Sequence, residues 1–421
     1  MRIVQLAGFY GPASGGLRTT VDALGRGYVA AGHERVLIVP GRRYGLERTA
    51  ADGLRLTVPG VPVGGGYRLV LAPPVLRGVR ALLERLGPDV VEVSDKLTLV
   101  HAACWARARG VRTVLLSHER LDAILAPRVP AVLPLGRAAD VWNRRLAGAF
   151  DAVVAASAFS CTEFARVGAP ALHRVALGVD LQVFHPAADG AAVAGMHGGR
   201  PAAVAGSAEV HGGRSAAVGG GAEVHGGRSA AVGGGAEVHG GRSAAVGGGA
   251  EVRLVYAGRL SAEKCPQLPV ETLRVLRRWG VAARLDVLGD GPERSRLRRR
   301  AAGLPVRFHG HVADRRAVAA VTAAADVALA PCPVEAFGLS VLEALACGTP
   351  VVTADRGAAP ELLAPGAGLA VPASAEAMAA AVTGLLAQPR ERRRAAARAR
   401  AEEFPWSRTV EGLLAVHAGR N

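Results

Sequence analysis

The chain has 421 residues, with Lys+Arg 51 against Asp+Glu 35 and a formal net charge of +16. Half of the residues are hydrophobic, which is enough for sizeable cores and excludes a globally disordered chain. The length corresponds to two or three domains of roughly 150 residues.

Only 4% of the residues are aromatic, so the cores must be built from Ala, Val and Leu. Lysine occurs at Lys96 and Lys264 alone, and arginine supplies the other cations. With abundant Ala and Gly, that bias reflects a GC-rich genome. The positive excess favours anionic partners: anionic lipid, phosphorylated metabolites or nucleic acid. Nucleic-acid binding would need aromatic platforms or a recognition module, and neither is present, so no nucleic-acid partner is expected. The five cysteines (Cys104, Cys161, Cys265, Cys332, Cys347) are scattered and form no C-x-x-C pair. They argue for a reducing, cytoplasmic compartment and against a disulfide framework or zinc site. No apolar run reaches the ~20 residues of a spanning helix. The start, Met1 to Leu6, reads as a buried strand, too short and polar-interrupted for a signal peptide.

In chain order, the first block predicts strands at Arg2–Gly8, Glu34–Pro40, Val90–Val93, Arg112–Ser117, Ala152–Ala156 and Arg174–Ala176, with helices such as Leu17–Ala31 and Pro73–Leu86 between them. From His197 onward, His-Gly-Gly-Arg recurs every 14 residues, at His211, His225 and His239. These units hold no aromatic or large aliphatic residue, so they cannot offset the entropy of ordering. Residues 187–250 therefore read as a disordered Gly/Ala/His linker. A metal role for its histidines is the weaker reading, because they lack ligand spacing. The second block predicts strands at Val252–Ala257, Ala283–Leu288, Arg307–His309, Val327–Ala330 and Pro350–Thr353. Its helices include Leu268–Gly280, Ser295–Ala302 and Leu339–Ala346, and a last one through Thr409–His417 begins at a Ser cap.

Strands alternating with helices specify parallel α/β domains: 1–186, then 251–402 after the linker, with a C-terminal helix in 403–421 that can cross back to the first. Ligands bind such sheets at the carboxyl ends of the strands, so the strand-to-helix loops carry the chemistry. Gly258, Arg259 and Lys264 follow strand 252–257. A guanidinium and an ammonium on one loop suit a diphosphate, whereas a surface loop with two solvated charges is the bland alternative. Gly289-Asp290-Gly291-Pro292 is a tight turn. Phe308-His309-Gly310-His311 is either a nucleobase-side loop or an ordinary strand end. Glu335 precedes a Gly-containing turn and helix Leu339–Ala346, with Glu343 eight residues further on. The helix start beside Phe337, Gly338 and Leu339 can hold an anion. Glu343 lies among apolar neighbours, so it needs a partner if buried.

In order and spacing, Gly258-Arg259-Leu260, Glu263-Lys264, Gly289-Asp290-Gly291-Pro292 and the Glu335/Glu343 pair resemble the donor domain of retaining GT-B glycosyltransferases of family 4 (glycosyl transferases group 1). Leu177-Gly178-Val179-Asp180 and Ala359-Pro360-Glu361-Leu362 match as well. The resemblance implies two Rossmann-like doubly wound domains facing across a cleft. It implies transfer of a hexose from a nucleoside diphosphate sugar (GDP-mannose or a UDP-hexose) to a hydroxyl of a lipid, glycan or small molecule, with retention. No metal and no cofactor are expected. It assigns the diphosphate to Arg259 and Lys264, the donor sugar to Glu335, the ribose to Glu343, and sugar and phosphate to the amides of Phe337, Gly338 and Leu339. Gly15 and Gly16 correspond to the family's glycine loop, and His118 to its active-site histidine. Of lower weight, Arg18, Asp95 and Lys96 are expected on the acceptor side.

Two basic stretches, Pro73–Leu86 and Arg390–Arg400, either dock peripherally on an anionic membrane at the inner face or present ordinary solvated arginines. Rival readings are a GT-B nucleotide-sugar epimerase and a non-catalytic nucleotide-sugar binder.

Overall fold

The computed structural model describes residues 1–11, 14–63, 67–120, 135–187 and 251–420. All but the first residue of the expected linker, with its His-Gly-Gly-Arg repeats, lies outside the described residues.

The first domain contains β1 (Arg2–Leu6), α1 (Gly15–Ala30), β2 (Glu34–Gly41), β3 (Gly45–Thr49), β4 (Gly53–Pro59), β5 (Val61–Pro62), β6 (Arg68–Leu69), α2 (Pro73–Leu86), β7 (Val90–Val93), α3 (Val100–Arg107), β8 (Arg112–Ser117), α4 (Leu135–Ala149), β9 (Ala152–Ala155), α5 (Ala158–Ala165) and β10 (Leu172–Arg174). Eight strands form one sheet in the order β10-β9-β8-β7-β1-β2-β4-β3, parallel except for β3 against β4. Every residue of β7 and β9 is buried, as in a sheet covered on both faces; β9 is a continuous apolar run, and in β7 the buried Glu92 accepts from Gln5 Nε2 and Tyr28 Oη. Val4, Leu6, Leu83 and Phe164 pack one face, and Ile3, Leu24 and Tyr28 the other. Helix α2 begins at Pro73-Pro74 and ends at Gly87 with φ 53°. Those residues suit a helix start and a left-handed stop. The sequence reading omits β3 to β6. Every residue of β3 is exposed, so no hydrophobic alternation marks it.

The second domain contains β11 (Val252–Ala257), α6 (Gln267–Arg278), β12 (Ala283–Leu288), α7 (Arg294–Arg300), β13 (Val306–Gly310), α8 (Arg315–Ala323), β14 (Val327–Ala330), α9 (Leu339–Ala346), β15 (Val351–Ala354), β16 (Gly368–Val371), α10 (Ala375–Leu386), α11 (Arg390–Glu402) and α12 (Trp406–His417). Its six parallel strands run β13-β12-β11-β14-β15-β16. The direction of winding therefore reverses between β11 and β14, the place where doubly wound sheets open a crevice. In the first sheet the reversal falls between β1 and β7.

Helix α12 leaves the second domain and packs on the first. Val410, Leu413 and Val416 join the cluster of Ile3, Leu24 and Tyr28. Thr409 Oγ1 donates to the Ala176 carbonyl, and Arg112 Nε to that of Val416. The expected serine cap is corrected: Pro405 precedes the helix, and Ser407 lies inside its first turn.

The reading of Arg390–Arg400 as a membrane-facing or solvated stretch is corrected in part: Arg390 and Arg392 are exposed, but other arginines are engaged by the fold. Arg394 donates to the carbonyls of Ala323, Ala325 and Cys347, and Arg398 to those of Phe184 and Ala346. Arg400 donates to those of Glu361 and Leu362. Arg394 and Arg398 thereby cap the ends of α8 and α9, where carbonyls lack helical partners and the dipole is negative.

Candidate active site

The crevice at the β11/β14 reversal brings together the two loops that carry Lys264 and Glu335. Lys264 closes a single 3-10 turn (Ala262–Lys264) after β11. Cys265 follows with φ 49°, the one non-glycine left-handed residue among those described. Such a conformation costs on the order of 1–3 kcal/mol and is retained where surrounding structure imposes it. Lys264 Nζ donates to Glu335 Oε2 at 2.7 Å, with both side chains still reached by solvent. Desolvation in the cleft works against the ammonium, but the Glu335 carboxylate overrides it and holds Lys264 above its ordinary pKa.

Gly258 and Gly289 serve a loop-on-loop contact. Gly289 has φ 139°, and a Cβ there would lie 1.9 Å from the Gly258 carbonyl oxygen. Gly258 N donates to Leu288 O at 2.9 Å, and Leu260 N to Asp290 O at 3.0 Å. The Gly-Asp-Gly-Pro turn thereby braces the loop of Arg259 and Lys264. Gly338 opens α9 at φ 103°, and its carbonyl accepts from Val341 and Leu342. Phe337 is buried beneath it, and Leu339 begins the helix. The amides that open α9 have no partner one turn earlier within the helix and are available to a ligand.

Glu343 is buried on α9 and does have a partner. Arg315 Nη2, at the start of α8, donates to its Oε1 at 2.6 Å and stands over the Phe184 ring at 4.7 Å. The sequence reading named the need but not the residue. His309, expected in either a nucleobase-side loop or an ordinary strand end, lies within β13 at 2.6 Å from Asp286.

The first domain forms the opposite wall. A Cβ on Gly16 would lie 3.6 Å from Leu339 Cδ1, so the glycine loop faces the start of α9, and Gly15 borders open space. Arg18 is exposed on the first turn of α1, 3.6 Å from Asp22 and 5.6 Å from the Tyr10 ring. Arg259 crosses the gap: Nη2 donates to Tyr67 Oη at 2.7 Å, with the guanidinium 5.3 Å from that ring. Nothing in the sequence pattern marked Tyr67.

Asp95 and Lys96 are corrected as acceptor contacts. Asp95 accepts from the amides of Gly8, Leu97 and Thr98 and tightens the β1 and β7 ends. Lys96 forms a buried ion pair with Glu163, which also accepts from Ser117 and Asn143. Both side chains bind the interior of the domain.

His118 ends β8. Burial pushes its pKa down to about 4, with Glu92 opposing and Lys96 assisting. Its Nε2 reaches no hydrogen-bond partner among the described residues. The neighbouring Glu119 was overlooked. Desolvation raises its carboxyl, while Lys264 and Arg259 across the cleft pull it down. Glu119 thus shares a field with the diphosphate candidates, while His118 senses charges of its own domain.

Comparison with known proteins agrees with this geometry. Residues 251–388 match the family model described as glycosyl transferases group 1, and residues 15–180 the glycosyl transferase 4-like domain. The chain is 40% identical over 418 residues to a GDP-mannose-dependent alpha-(1-6)-phosphatidylinositol dimannoside mannosyltransferase of Mycobacterium tuberculosis, covering 99% of this chain and 96% of that one. A GDP-mannose-dependent alpha-mannosyltransferase of the same species is 26% identical over 369 residues, covering 87% and 82%. In fold it is similar to a sucrose-phosphate synthase of Thermosynechococcus elongatus (TM-score 0.72, 18% identity, 100% and 99% covered). It is likewise similar to Anabaena HepE in complex with UDP-glucose (TM-score 0.68, 17% identity, 100% of both chains). Two doubly wound domains, a cation–carboxylate cleft at the strand ends and a relative matched over nearly its whole length lead to one conclusion: the chain belongs to the GT-B glycosyltransferases of family 4 and is a hexosyltransferase.

Proposed function

We propose that the protein transfers mannose from GDP-mannose to a hydroxyl of a mannosylated phosphatidylinositol acceptor, with retention of configuration. The observation that carries this reading is the full-length similarity to an enzyme named for that donor and acceptor. Lys264, Arg259 and the amino end of α9 neutralise the departing diphosphate, and Glu335 holds the sugar hydroxyls. The acceptor oxygen forms the new bond to the anomeric carbon as the bond to phosphate oxygen breaks. The acceptor proton passes to the departing phosphate. His118, neutral at physiological pH, orients the sugar by hydrogen bonding rather than as a cation.

A lipid acceptor places the enzyme peripherally on an anionic inner membrane face. Tyr44, Leu46 and Leu71 are exposed, and so are the cations Arg42, Arg43, Arg48 and Arg77, all on the first domain. No helix among the described residues is long and apolar enough to cross a membrane.

The test is incubation with GDP-mannose or UDP-glucose and phosphatidylinositol dimannoside, followed by the one-bond C1–H1 coupling of the product. A mannolipid with an α linkage supports the reading. Transfer only from UDP-glucose, free sugar released without product, or a β linkage overturns it. Cosedimentation with phosphatidylglycerol vesicles, lost at high salt, tests the membrane contact.

A further inference from the structure

The first turn of α5 touches the motif that carries Glu335. Ser157 and Ser160 are 3% and 1% exposed, and both hydroxyls donate to the Ala336 carbonyl at 2.7 Å. Ala336 lies between Glu335 and Phe337. In return, the carboxylate of Glu361, from the second domain, accepts the amides of Ala158 and Phe159 at 2.8 Å each. Those amides are orphan donors of a helix start, where a carboxylate also meets the positive end of the dipole. The backbone on both sides is braced. Ser157 Oγ accepts the Ser160 amide at 3.0 Å, Glu335 O accepts the Ala358 amide at 2.8 Å, and Arg400 donates to Glu361 O at 2.8 Å.

We infer that Ser157, Ser160 and Glu361 form an interdomain clasp that couples closure of the cleft to the placement of Glu335. Domains within one chain move against each other unless a large apolar interface prevents it. These contacts are polar, short and reciprocal and act as one network, beside Ala156, which joins an apolar cluster of the second domain. Two hydroxyls converging on one carbonyl fix the peptide beside Glu335. With the cleft open, that peptide loses both donors, and the carboxylate of Glu335 is no longer held at its closed position. The three residues are positioning residues. They touch the loop and not the sugar.

The inference rests on the reading of Glu335 as a donor-sugar contact. The experiment compares the full chain with Ser157→Ala/Ser160→Ala, Ser160→Ala, Glu361→Gln, Ser157→Thr/Ser160→Thr and Glu335→Ala. Measured are kcat for mannose transfer from GDP-mannose, calorimetric affinity for GDP, thermal midpoint, and radius of gyration by X-ray scattering with GDP. Because Ser157 also caps α5, Ser160→Ala and Glu361→Gln carry the test if the double variant unfolds. The expected result is a fall in kcat of about tenfold or more, GDP affinity within about threefold of wild type, a larger radius of gyration, and recovery in the threonine variant. A kcat within twofold of wild type in the clasp variants, beside an inactive Glu335→Ala, overturns the clasp alone. GDP affinity falling in step with kcat also overturns it. Full activity of Glu335→Ala removes the reading of Glu335 and the inference with it.

Discussion

Lys264 and Glu335 are 71 residues apart in the chain and 2.7 Å apart in the cleft. The Glu335 carboxylate keeps Lys264 charged, and the ion pair holds both side chains in place before a substrate arrives. Lys264→Ala should therefore lower transfer on the order of 10²–10³-fold while the fold stays intact, because the ammonium is aimed at charge that develops on the leaving group. Glu335→Ala should do the same through loss of sugar placement. The checks are steady-state transfer beside the circular dichroism melt. Near wild-type turnover in both would refute the cleft as the site of reaction.

The Arg315–Glu343 pair joins a half-solvated guanidinium to a nearly enclosed carboxylate, with side-chain exposures of 42% and 11%. Arg315→Ala should cost about 1 kcal/mol in urea unfolding, the scale of an ion pair open to water. If Glu343 meets the ribose, Glu343→Ala weakens GDP binding more than it lowers the melting point. Calorimetry beside a melt separates the two effects.

His118 predicts an acid-limb signature. Its folded pKa of about 4 lies below the ordinary 6.5. Between those values the unfolded chain binds the proton and the folded chain does not. Its contribution is therefore complete above about pH 6.5 and is lost as pH falls toward 4. His118→Gln should show a shallower loss of stability than wild type across that window, measured as urea midpoints from pH 7 to 4. Parallel curves would show that the imidazole is not held neutral.

Lys96→Met should destabilise by about 3–5 kcal/mol, because it leaves the Glu163 side chain buried without its ion-pair partner. Both side chains lie almost wholly out of solvent. Adding Glu163→Leu should recover much of that loss. A double variant as unstable as the single one would show that the pair serves more than mutual neutralisation.

The strand-to-helix alternation pointed to the fold class because strands covered on both faces are mostly apolar, as in Ala152–Ala155 and Val327–Ala330. The ends of Pro73–Leu86 and Leu339–Ala346 were legible from Pro, Gly and the apolar period. The β3–β4 hairpin was not: β3 is exposed throughout and carries no pattern, whereas Leu54, Leu56 and Val58 of β4 alternate and pack on the core, a signal the reading passed over. The motif loops were visible as local strings, so Arg259, Lys264, Glu335 and Glu343 could be named.

Partnership was not visible in the sequence. A one-dimensional string shows that Asp95 and Lys96 follow a strand, but not that backbone amides saturate one and Glu163 the other. It shows six arginines in Arg390–Arg400, but not that several of them cap carbonyls of neighbouring helices. Tyr67 at Arg259, Arg315 at Glu343, Glu119 facing Lys264, and Ser157 with Ser160 at Ala336 all join residues from distant segments. Local propensity and burial period are written residue by residue, so the chain alone determined its elements and its class. Which polar groups meet depends on how separate elements pack and on the cost of leaving any of them dry and unpaired, and only the tertiary structure settled that.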